Sequence, residues 1–417
     1  MKNKVNKCKL TILKPQSLIA KIGETVSYSL ANFGFQPYGQ TITGTIQIPY
    51  QKNNKDQISD GCQEIQSISN QETQGFSQQS IYLIQRGNCS FVTKAKNAEL
   101  AGVGLLIIYD NYDNESEQDI ILMDDHTGKH LVISTLFINK SNGEQIQNFI
   151  LQNPNQKVDI KVEFEQHKEA NNINVVFWMS SLDQDSYQFI KNFKKHYDAI
   201  QLEGFNIKFQ VHFALTYDIE SRENFYSLTK DNCVSNGRYC SPELKDNDEL
   251  TSSVVLEDLR QIIISKLYPK LWWDYAIDFG DVCLNSKSAR ELEICSYKSM
   301  ENVGFKEEQI EAVKLQFEKS FIKQGYQPIN YAVNDNKILS AELLTFFELE
   351  VDIFPALIVN QDFFRGDITA EGPIYEFICD AFIDQPLNCF NSFDKYVEFK
   401  HGLFFLFQIK YIFFYRL

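Results

Sequence analysis

Alternating apolar and polar residues dominate the first part of the chain. The segments TVSYSLANF and TITGTIQIPY, within residues 25–50, alternate in this way and are punctuated by Gly and Pro, which predicts short β-strands. Residues 51–80 are polar and rich in Asn, Gln and Ser, which predicts a long loop. The run SIYLIQ then predicts a strand, RGNCSF a turn, VTKAKNAELAGV a helix and GLLIIYD another strand.

The following segment completes the same unit. A polar, acidic loop is predicted over residues 110–130, followed by a strand at VISTLFI and a helix at SNGEQIQNFILQ that opens at a Ser or Asn cap. The run KVDIKVEFE predicts a last strand. These elements together predict an α+β domain over residues 10–168.

A second unit follows the linker HKEANN. The continuous apolar run NVVFWM is typical of a strand that is buried on both faces. An amphipathic helix is predicted next, because Phe189, Phe193 and Tyr197 are spaced by four residues and Gly204 stands at the end. The segment FNIKFQVHFALTY predicts a strand, residues 250–350 are mostly helical, and IFPALIVN, FFRG and PIYEFICDAFI predict two strands and a final helix. This order is that of an α/β thioredoxin-like domain with a helical insertion, predicted over residues 169–392.

Composition and charge exclude one class of partner. The 417 residues are 43% hydrophobic and 13% aromatic, which is typical of a folded protein with room for two or three domains. The formal net charge of −15 is spread along the whole chain. No region attracts a phosphate backbone, so we expect no nucleic-acid partner.

The cysteines indicate an oxidising compartment. Nine are present, and the last six form three pairs of near neighbours in the sequence, a pattern that suggests disulfides. The alternative is a cytosolic protein with buried free thiols, although no CxxC or Cys/His spacing offers zinc or redox chemistry. Three N-glycosylation acceptors favour the secretory interpretation, namely Asn88-Cys-Ser, Asn114-Glu-Ser and Asn139-Lys-Ser.

The two ends of the sequence are less informative. The first 24 residues contain no apolar run of the length that a signal peptide needs. The last sixteen residues, GLFFLFQIKYIFFYRL, are strongly apolar but are interrupted by Lys410 and fall short of the roughly 20 residues that span a bilayer. Residues 393–417 are therefore predicted to be an apolar tail of uncertain role.

Several segments of the chain resemble the lumenal region of plant-type vacuolar sorting receptors. In the first domain these are ANFGFQPYGQTITGTI, LIQRGNCSFVTKAKNAELAGVGLLIIYDN, IILMDDHTGKH and VISTLFINK; in the second they are FIKNFK, CVSNGRYCSPE, LRQ, KLWWDYAIDF and FPALIVNQDFFRG, with the surrounding cysteines. The resemblance is colinear from about residue 10 to residue 390. It implies a protease-associated (PA) domain followed by a thioredoxin-like domain with a disulfide-bonded helical insertion.

The resemblance also implies a function. Such a region binds sorting-signal peptides of soluble cargo in the lumen of the Golgi and prevacuolar compartment, without a cofactor and without catalysis. The family's growth-factor-like repeats, membrane span and cytosolic tail have no counterpart in these residues, so membrane association is expected only of a longer form that carries a span. The open alternative is a lumenal chaperone, or a redox-inactive relative of disulfide isomerases, that binds unfolded chains.

The family commonly has a cysteine pair after the first thioredoxin strand, and this chain departs from that pattern. Residues 178–183 read WMSSLD and contain no cysteine. Without a thiolate there is no disulfide exchange, so an oxidoreductase is rejected. The sequence also lacks HExxH, GxSxG and a recognisable Cys/His arrangement, which argues against a hydrolase.

The candidate peptide site lies at the RGNC turn. A peptide receptor needs a fixed cation and a turn that presents main-chain donors, and Arg86 and Gly87 supply both. The resemblance assigns cargo contact to Arg86; the alternative is a surface arginine beside a structural turn. Asp124 and Asp125 lie where the family's loop flanks the cargo groove, and they are equally compatible with a solvated loop.

The remaining predictions concern covalent links and individual residues. The expected disulfides are Cys62–Cys89, Cys233–Cys240, Cys283–Cys295 and Cys379–Cys389, with Cys8 unpaired and with crossed pairing of residues 233–295 left open. His126 and His130 have the spacing of a helical metal site, but neighbouring Asp, Thr and Gly favour a loop, and we expect no metal. Pro355 matches the proline, usually cis, of thioredoxin-like folds. Trp272 and Trp273 are expected to fill a core.

Overall fold

The computed structural model of the protein describes residues 9–67, 79–112, 128, 131–216, 233–242, 250, 252–323, 325–349, 351, 354–369 and 371–390. Two compact units are present. The first comprises the described residues up to Lys168 together with Phe364–Ile383, and the second comprises Glu169–Phe363 and the described residues from Asp384 onward.

The first unit is built on an eight-stranded mixed sheet. The strand order is β2-β1-β10-β4-β7-β8-β9-β3, in which β4, β7, β8 and β9 are parallel to one another and the other pairs are antiparallel. The strands are β1 (Lys9–Lys14), β2 (Thr25–Ser27), β3 (Ser29–Leu30), β4 (Thr41–Gln47), β7 (Gln79–Gln85), β8 (Leu105–Tyr109), β9 (Ser134–Ile138) and β10 (Val158–Glu163). The predicted α+β domain is confirmed.

Part of the segment predicted as a long loop forms a hairpin. Strand β5 (Tyr50–Gln51), at the start of this segment, pairs in antiparallel fashion with β6 (Asn54–Ile58), which lies within residues 51–80. The prediction of loop throughout this stretch is therefore wrong, because polar composition does not prevent a short two-stranded ribbon from forming.

Helices cover both faces of the sheet. They are α1 (Gln16–Ile22), α2 (Phe91–Leu100) and α3 (Lys140–Gln152). Strand β8 shows why two cores form: Leu105 and Ile107 pack in one cluster with Ile146 of α3, whereas Leu106 and Ile108 pack in the other, which also contains residues of α2. The continuous apolar run GLLIIYD therefore supplies both faces of a central strand.

The last helix packs within the first unit. Helix α10 (Glu371–Asp380) falls inside the predicted bounds of the thioredoxin-like domain, residues 169–392, which stay a prediction, and in the structure residues 364–383 pack with the first unit. The Tyr38 ring lies 4.4 Å from that of Phe377, and Gln166 donates to the Phe377 carbonyl at 2.6 Å. A buried aromatic contact and a satisfied main-chain carbonyl explain why this segment packs here.

The second unit has the thioredoxin strand order, and its four-stranded sheet runs β12-β11-β15-β16. Strands β11 (Asn172–Met179) and β12 (Asn206–Phe213) are parallel and are joined by α4 (Gln184–Leu202), while β15 (Ala356–Val359) and β16 (Asp362–Phe363) add antiparallel strands. The Phe354–Pro355 peptide is cis, as expected. The predicted thioredoxin-like fold is confirmed.

The helical insertion is also confirmed. It contains α5 (Ser253–Leu267), α6 (Pro269–Val282), α7 (Ala289–Asn302), α8 (Glu307–Ser320) and α9 (Lys337–Glu348), preceded by the small hairpin of β13 (Cys233–Val234) and β14 (Tyr239–Cys240). Trp272 and Trp273 are buried, and the Trp273 ring lies 4.5 Å from that of Phe209. The expectation that these tryptophans fill a core is confirmed.

Three predicted disulfides are present: Cys62–Cys89, Cys233–Cys240 and Cys283–Cys295. The crossed alternative within residues 233–295 is therefore wrong. Cys379 and Cys389 are each disulfide-bonded. Their pairing with each other stays a prediction, and Cys8 lies outside the described residues.

Candidate functional site

The RGNC turn connects β7 to α2 through two residues in the left-handed region. Gly87 has φ 118° and Asn88 has φ 66°. Glycine is required at the first of these because a side chain at that φ is strained. Ser90 then caps α2 by accepting the N–H of Thr93 at 3.1 Å. The turn is thus anchored at its helical end.

The Arg86 side chain is oriented and partly exposed. Nη1 donates to Oδ1 of Asp110 at 3.3 Å, and the guanidinium carbon lies 5.6 Å from the centre of the Phe91 ring. The Arg86 side chain is 34% exposed, whereas that of Asp110 is 5% exposed. Among the described residues, no acceptor is bonded to Nε or Nη2 of Arg86. The ion pair therefore leaves donor capacity available to a ligand.

A disulfide and a carboxylate hold the turn from the other side. Cys89 is bonded to Cys62, and Asn88 Nδ2 donates to Oδ2 of Asp60 at 2.9 Å. Partial burial alone would raise the pKa of Asp60, but hydrogen bonds from Asn88 and Cys62 and the charge of Lys94 bring that pKa below its ordinary value. Asp60 is therefore an anion beside the turn.

Lys94 of α2 also lies beside this turn, and it was not predicted from the sequence. It is fully buried, and its ammonium donates to the Asp60 main-chain carbonyl and lies 3.5 Å from Sγ of Cys62. Burial lowers the pKa of Lys94, although the charge of Asp60 opposes this effect. The helical spacing could have indicated the burial of Lys94, because Lys94 and the buried Ala98 are four residues apart and lie on one face of α2.

Five other residues that were singled out in the sequence lie outside the described residues. They are Asp124, Asp125, His126, His130 and Asn114. Within the part of the chain that is described, no group of three or more His, Cys, Asp or Glu side chains is arranged to hold a metal ion.

The other two glycosylation acceptors are both exposed. Asn88 lies in the RGNC turn, and Asn139 caps α3 by accepting the N–H of Asn142 at 2.8 Å. Glycan attachment at Asn88, Asn114 and Asn139 stays a prediction.

The serines at the thioredoxin-type position are internal. Ser180 and Ser181, which follow β11, are fully buried, and Ser181 Oγ donates to Oδ1 of Asp258 at 2.5 Å. These hydroxyls serve the packing of the second unit. No described helix of the chain is both long and apolar enough to cross a bilayer.

A shallow cleft lies elsewhere on the first unit. Its volume is about 350 Å³, and it is lined by residues 39–41 and 163–168. Arg86 is not among the residues that line it. The cleft and the RGNC turn are therefore separate features.

Comparisons with known proteins assign both domains. A model of the vacuolar sorting receptor thioredoxin-like domain matches residues 173–379, and a PA domain model matches residues 50–146. Vacuolar-sorting receptor 7 of Arabidopsis thaliana is 26% identical over 419 residues, covering 93% of this chain and 61% of the relative. Vacuolar-sorting receptor 1 of Pisum sativum is 24% identical, covering 91% of this chain and 60% of the relative. The chain thus spans about three fifths of the length of these relatives.

The similarity of this chain to solved structures is weak. Reduced DsbA from Mycobacterium tuberculosis has a TM-score of 0.33 and 8% identity, covering 54% of this chain and 89% of that one. Likeness at this level carries no argument about activity.

Proposed function

Since the chain has the PA domain and the thioredoxin-like domain of vacuolar-sorting receptors, we propose that it binds sorting-signal peptides of soluble cargo, with Arg86 and Gly87 as the contact site. One observation carries this proposal. The Arg86 guanidinium is fixed by Asp110 and Phe91, remains 34% exposed, and stands at a turn stabilised by a disulfide. A preorganised, accessible cation binds a ligand at less entropic cost than a mobile one.

The turn can also contribute main-chain donors. In the part of the chain that is described, the N–H groups of Gly87 and Asn88 have no hydrogen-bond acceptor, whereas those of Arg86 and Cys89 are bonded to Tyr109 O and Gly87 O. An extended peptide offers carbonyl oxygens at regular spacing, so it suits such donors. Asp124 and Asp125 are proposed to flank the peptide and to accept a basic residue.

The proposed setting is the lumen of the secretory and endosomal pathway. Eight disulfide-bonded cysteines support an oxidising compartment. The proposed role is binding without catalysis, and membrane attachment is proposed only for a longer form with a span.

Substitution of Arg86 tests the site. Arg86→Ala should weaken binding of a panel of lysosomal and vacuolar propeptides by about 1.5–3 kcal/mol, or roughly 10- to 150-fold, because a charged hydrogen bond is lost. Fluorescence anisotropy with labelled peptides measures the dissociation constants. Lys96→Ala is the matched control, because it removes one positive charge from an exposed position on α2.

Two outcomes would contradict the proposal. Unchanged affinity of Arg86→Ala for every peptide of the panel would show that the site assignment is wrong. Equal binding of any unfolded chain, without selectivity among propeptides, would favour a chaperone over a receptor.

A further inference from the structure

The Cys62–Cys89 disulfide has a cationic side chain at one of its sulfur atoms. The Lys94 ammonium donates to Sγ of Cys62, with Nζ and Sγ 3.5 Å apart, and also to the main-chain carbonyl of Asp60. Lys94 is fully buried, so packing and these two acceptors fix its position. The Gly87 carbonyl oxygen, 3.6 Å from the same sulfur, carries no formal charge. The nearest described charge to Sγ of Cys62 in this set of contacts is therefore positive.

The carboxylate of Asp60 helps to keep Lys94 charged. Burial lowers the pKa of Lys94, and the negative charge of Asp60 opposes that effect. A negative charge formed on Cys62 would also favour the ammonium, because opposite charges attract strongly where water is largely excluded. Breaking the S–S bond with the charge left on Cys62 would therefore strengthen a contact that Lys94 already makes.

The opening of a disulfide by a thiol produces such a charge. An incoming thiolate bonds to one sulfur, the S–S bond breaks, and its electron pair leaves on the other sulfur. A neighbouring ammonium stabilises a thiolate, and a more stable thiolate leaves faster. Neither Cys62 nor Cys89 is fully buried. Attack at Sγ of Cys89, with Cys62 as the leaving thiolate, is therefore the favoured direction.

The Cys283–Cys295 disulfide of the second unit provides a comparison within the same chain. Cys283 is fully buried, Cys295 is partly exposed, and Sγ of Cys283 lies 3.5 Å from the hydroxyl of Ser299. Among the described residues, no lysine or arginine donates to either of these two sulfur atoms. A thiolate formed there would have a neutral neighbour in place of an ammonium.

We propose that Cys62–Cys89 is a thiol–disulfide exchange site, at which a low-molecular-weight monothiol such as glutathione becomes joined to Sγ of Cys89 while Lys94 stabilises the Cys62 thiolate. The proton of the incoming thiol passes to solvent. A second thiol then attacks the mixed disulfide and releases free Cys89, so two thiols are oxidised to one small disulfide as the protein disulfide is reduced. Reduction detaches the loop after β6 from the start of α2.

Partial reduction of the folded full chain tests this proposal. The protein is incubated with glutathione at neutral pH, free thiols are alkylated, and each cysteine is quantified by peptide mass spectrometry. Cys62–Cys89 should open about 10-fold faster than Cys283–Cys295, with glutathione attached to Cys89. Equal opening rates, or glutathione attached mainly to Cys62, would overturn the proposal.

Replacement of Lys94 separates the effect of its charge from that of exposure. Lys94→Met removes the ammonium but keeps a long side chain, so opening of Cys62–Cys89 should slow about 10-fold while that of Cys283–Cys295 is unchanged. Lys96→Met is the matched control, because it removes an exposed lysine from the same helix and should change neither rate. An unchanged rate in a folded Lys94→Met protein would refute the role of Lys94.

A single free thiol gives a test that does not depend on the folding of Lys94→Met. Cys89→Ser leaves the thiol of Cys62 beside Lys94. Its alkylation rate should reach half of its maximum below about pH 8.5, the ordinary midpoint for a cysteine thiol, because the ammonium favours the thiolate. A midpoint at or above that pH in the folded protein would show that Lys94 does not stabilise a charge on Cys62.

Discussion

Glu376 gives the docking of helix α10 on the first unit a defined pH dependence. Gln40 Nε2 donates to Oε1 of Glu376 at 3.3 Å, and Asp380 follows one helical turn later. Burial, with the charge of Asp380 as a smaller cause, raises the pKa of Glu376 from 4.5 to about 7. The folded protein therefore favours protonated Glu376.

Proton linkage gives the direction of this pH dependence. The pKa of Glu376 is higher when α10 is packed in the folded protein than when the helix is released. Protonated Glu376 therefore stabilises the docking of α10 fully below pH 4.5, and this stabilisation is lost as the pH rises through about 7. Between pH 5 and pH 8 the full difference is about 2.5 kcal/mol, and solvent screening of the partly exposed carboxyl reduces it to about 1–2 kcal/mol. Docking should be tighter in acid.

Glu376→Gln mimics the protonated carboxyl at every pH. Hydrogen exchange of the α10 amides, corrected for intrinsic rates, should show a wild-type opening free energy about 1–2 kcal/mol higher at pH 5 than at pH 8. The variant should match wild type at pH 5 and keep that protection at pH 8. Glu24→Gln, an exposed substitution in the same unit, should leave the wild-type dependence intact. A Glu376→Gln protein with the full wild-type pH dependence would refute the reasoning.

Two further predictions concern the stability of the first unit. Replacing Cys62 and Cys89 by Ser opens a loop with a sequence separation of 27, which should cost about 3–4 kcal/mol in urea denaturation; a loss below about 1 kcal/mol would contradict the expected constraint. Gly143→Ala should destabilise the protein by about 1–3 kcal/mol despite alanine's helix propensity, because the added Cβ would lie 2.2 Å from Tyr109. Thermal unfolding checks this against the exposed control Ser141→Ala, and equal melting temperatures would show that the helix shifts freely.

The sequence specified most of the architecture because local pattern and burial agree in it. The run GLLIIYD predicted a strand buried on both faces, and β8 supplies both cores of the first unit. The four-residue spacing of Phe189, Phe193 and Tyr197 predicted α4, where the Phe189 and Phe193 rings stack at 5.3 Å. Close cysteine neighbours predicted disulfides at 233–240 and 283–295.

Internal charges were not predictable in the same way. Glu257 and Arg260 stand in the largely apolar run SVVLEDLRQIIISKL, and the structure buries both, with Tyr275 donating to Glu257 at 2.6 Å. They form an ion pair with each other one turn apart on α5, and the hydroxyls of Tyr275 and Ser296, which also bond to them, come from other helices. The sequence shows that the two charges are close on one helix but not which distant groups will complete their hydrogen bonds in the core.

The sequence by itself determined the two domain types, the RGNC turn and the residue types at the proposed peptide site. Only the tertiary structure decided which charged side chains meet at that turn, because Asp110 lies 24 residues from Arg86 and Asp60 lies 34 residues from Lys94. It likewise decided that α10 packs on the first unit through Tyr38, which is far away in the chain. Hydrophobic periodicity reports which face of an element is buried, whereas pairing between distant side chains depends on how the chain folds back on itself.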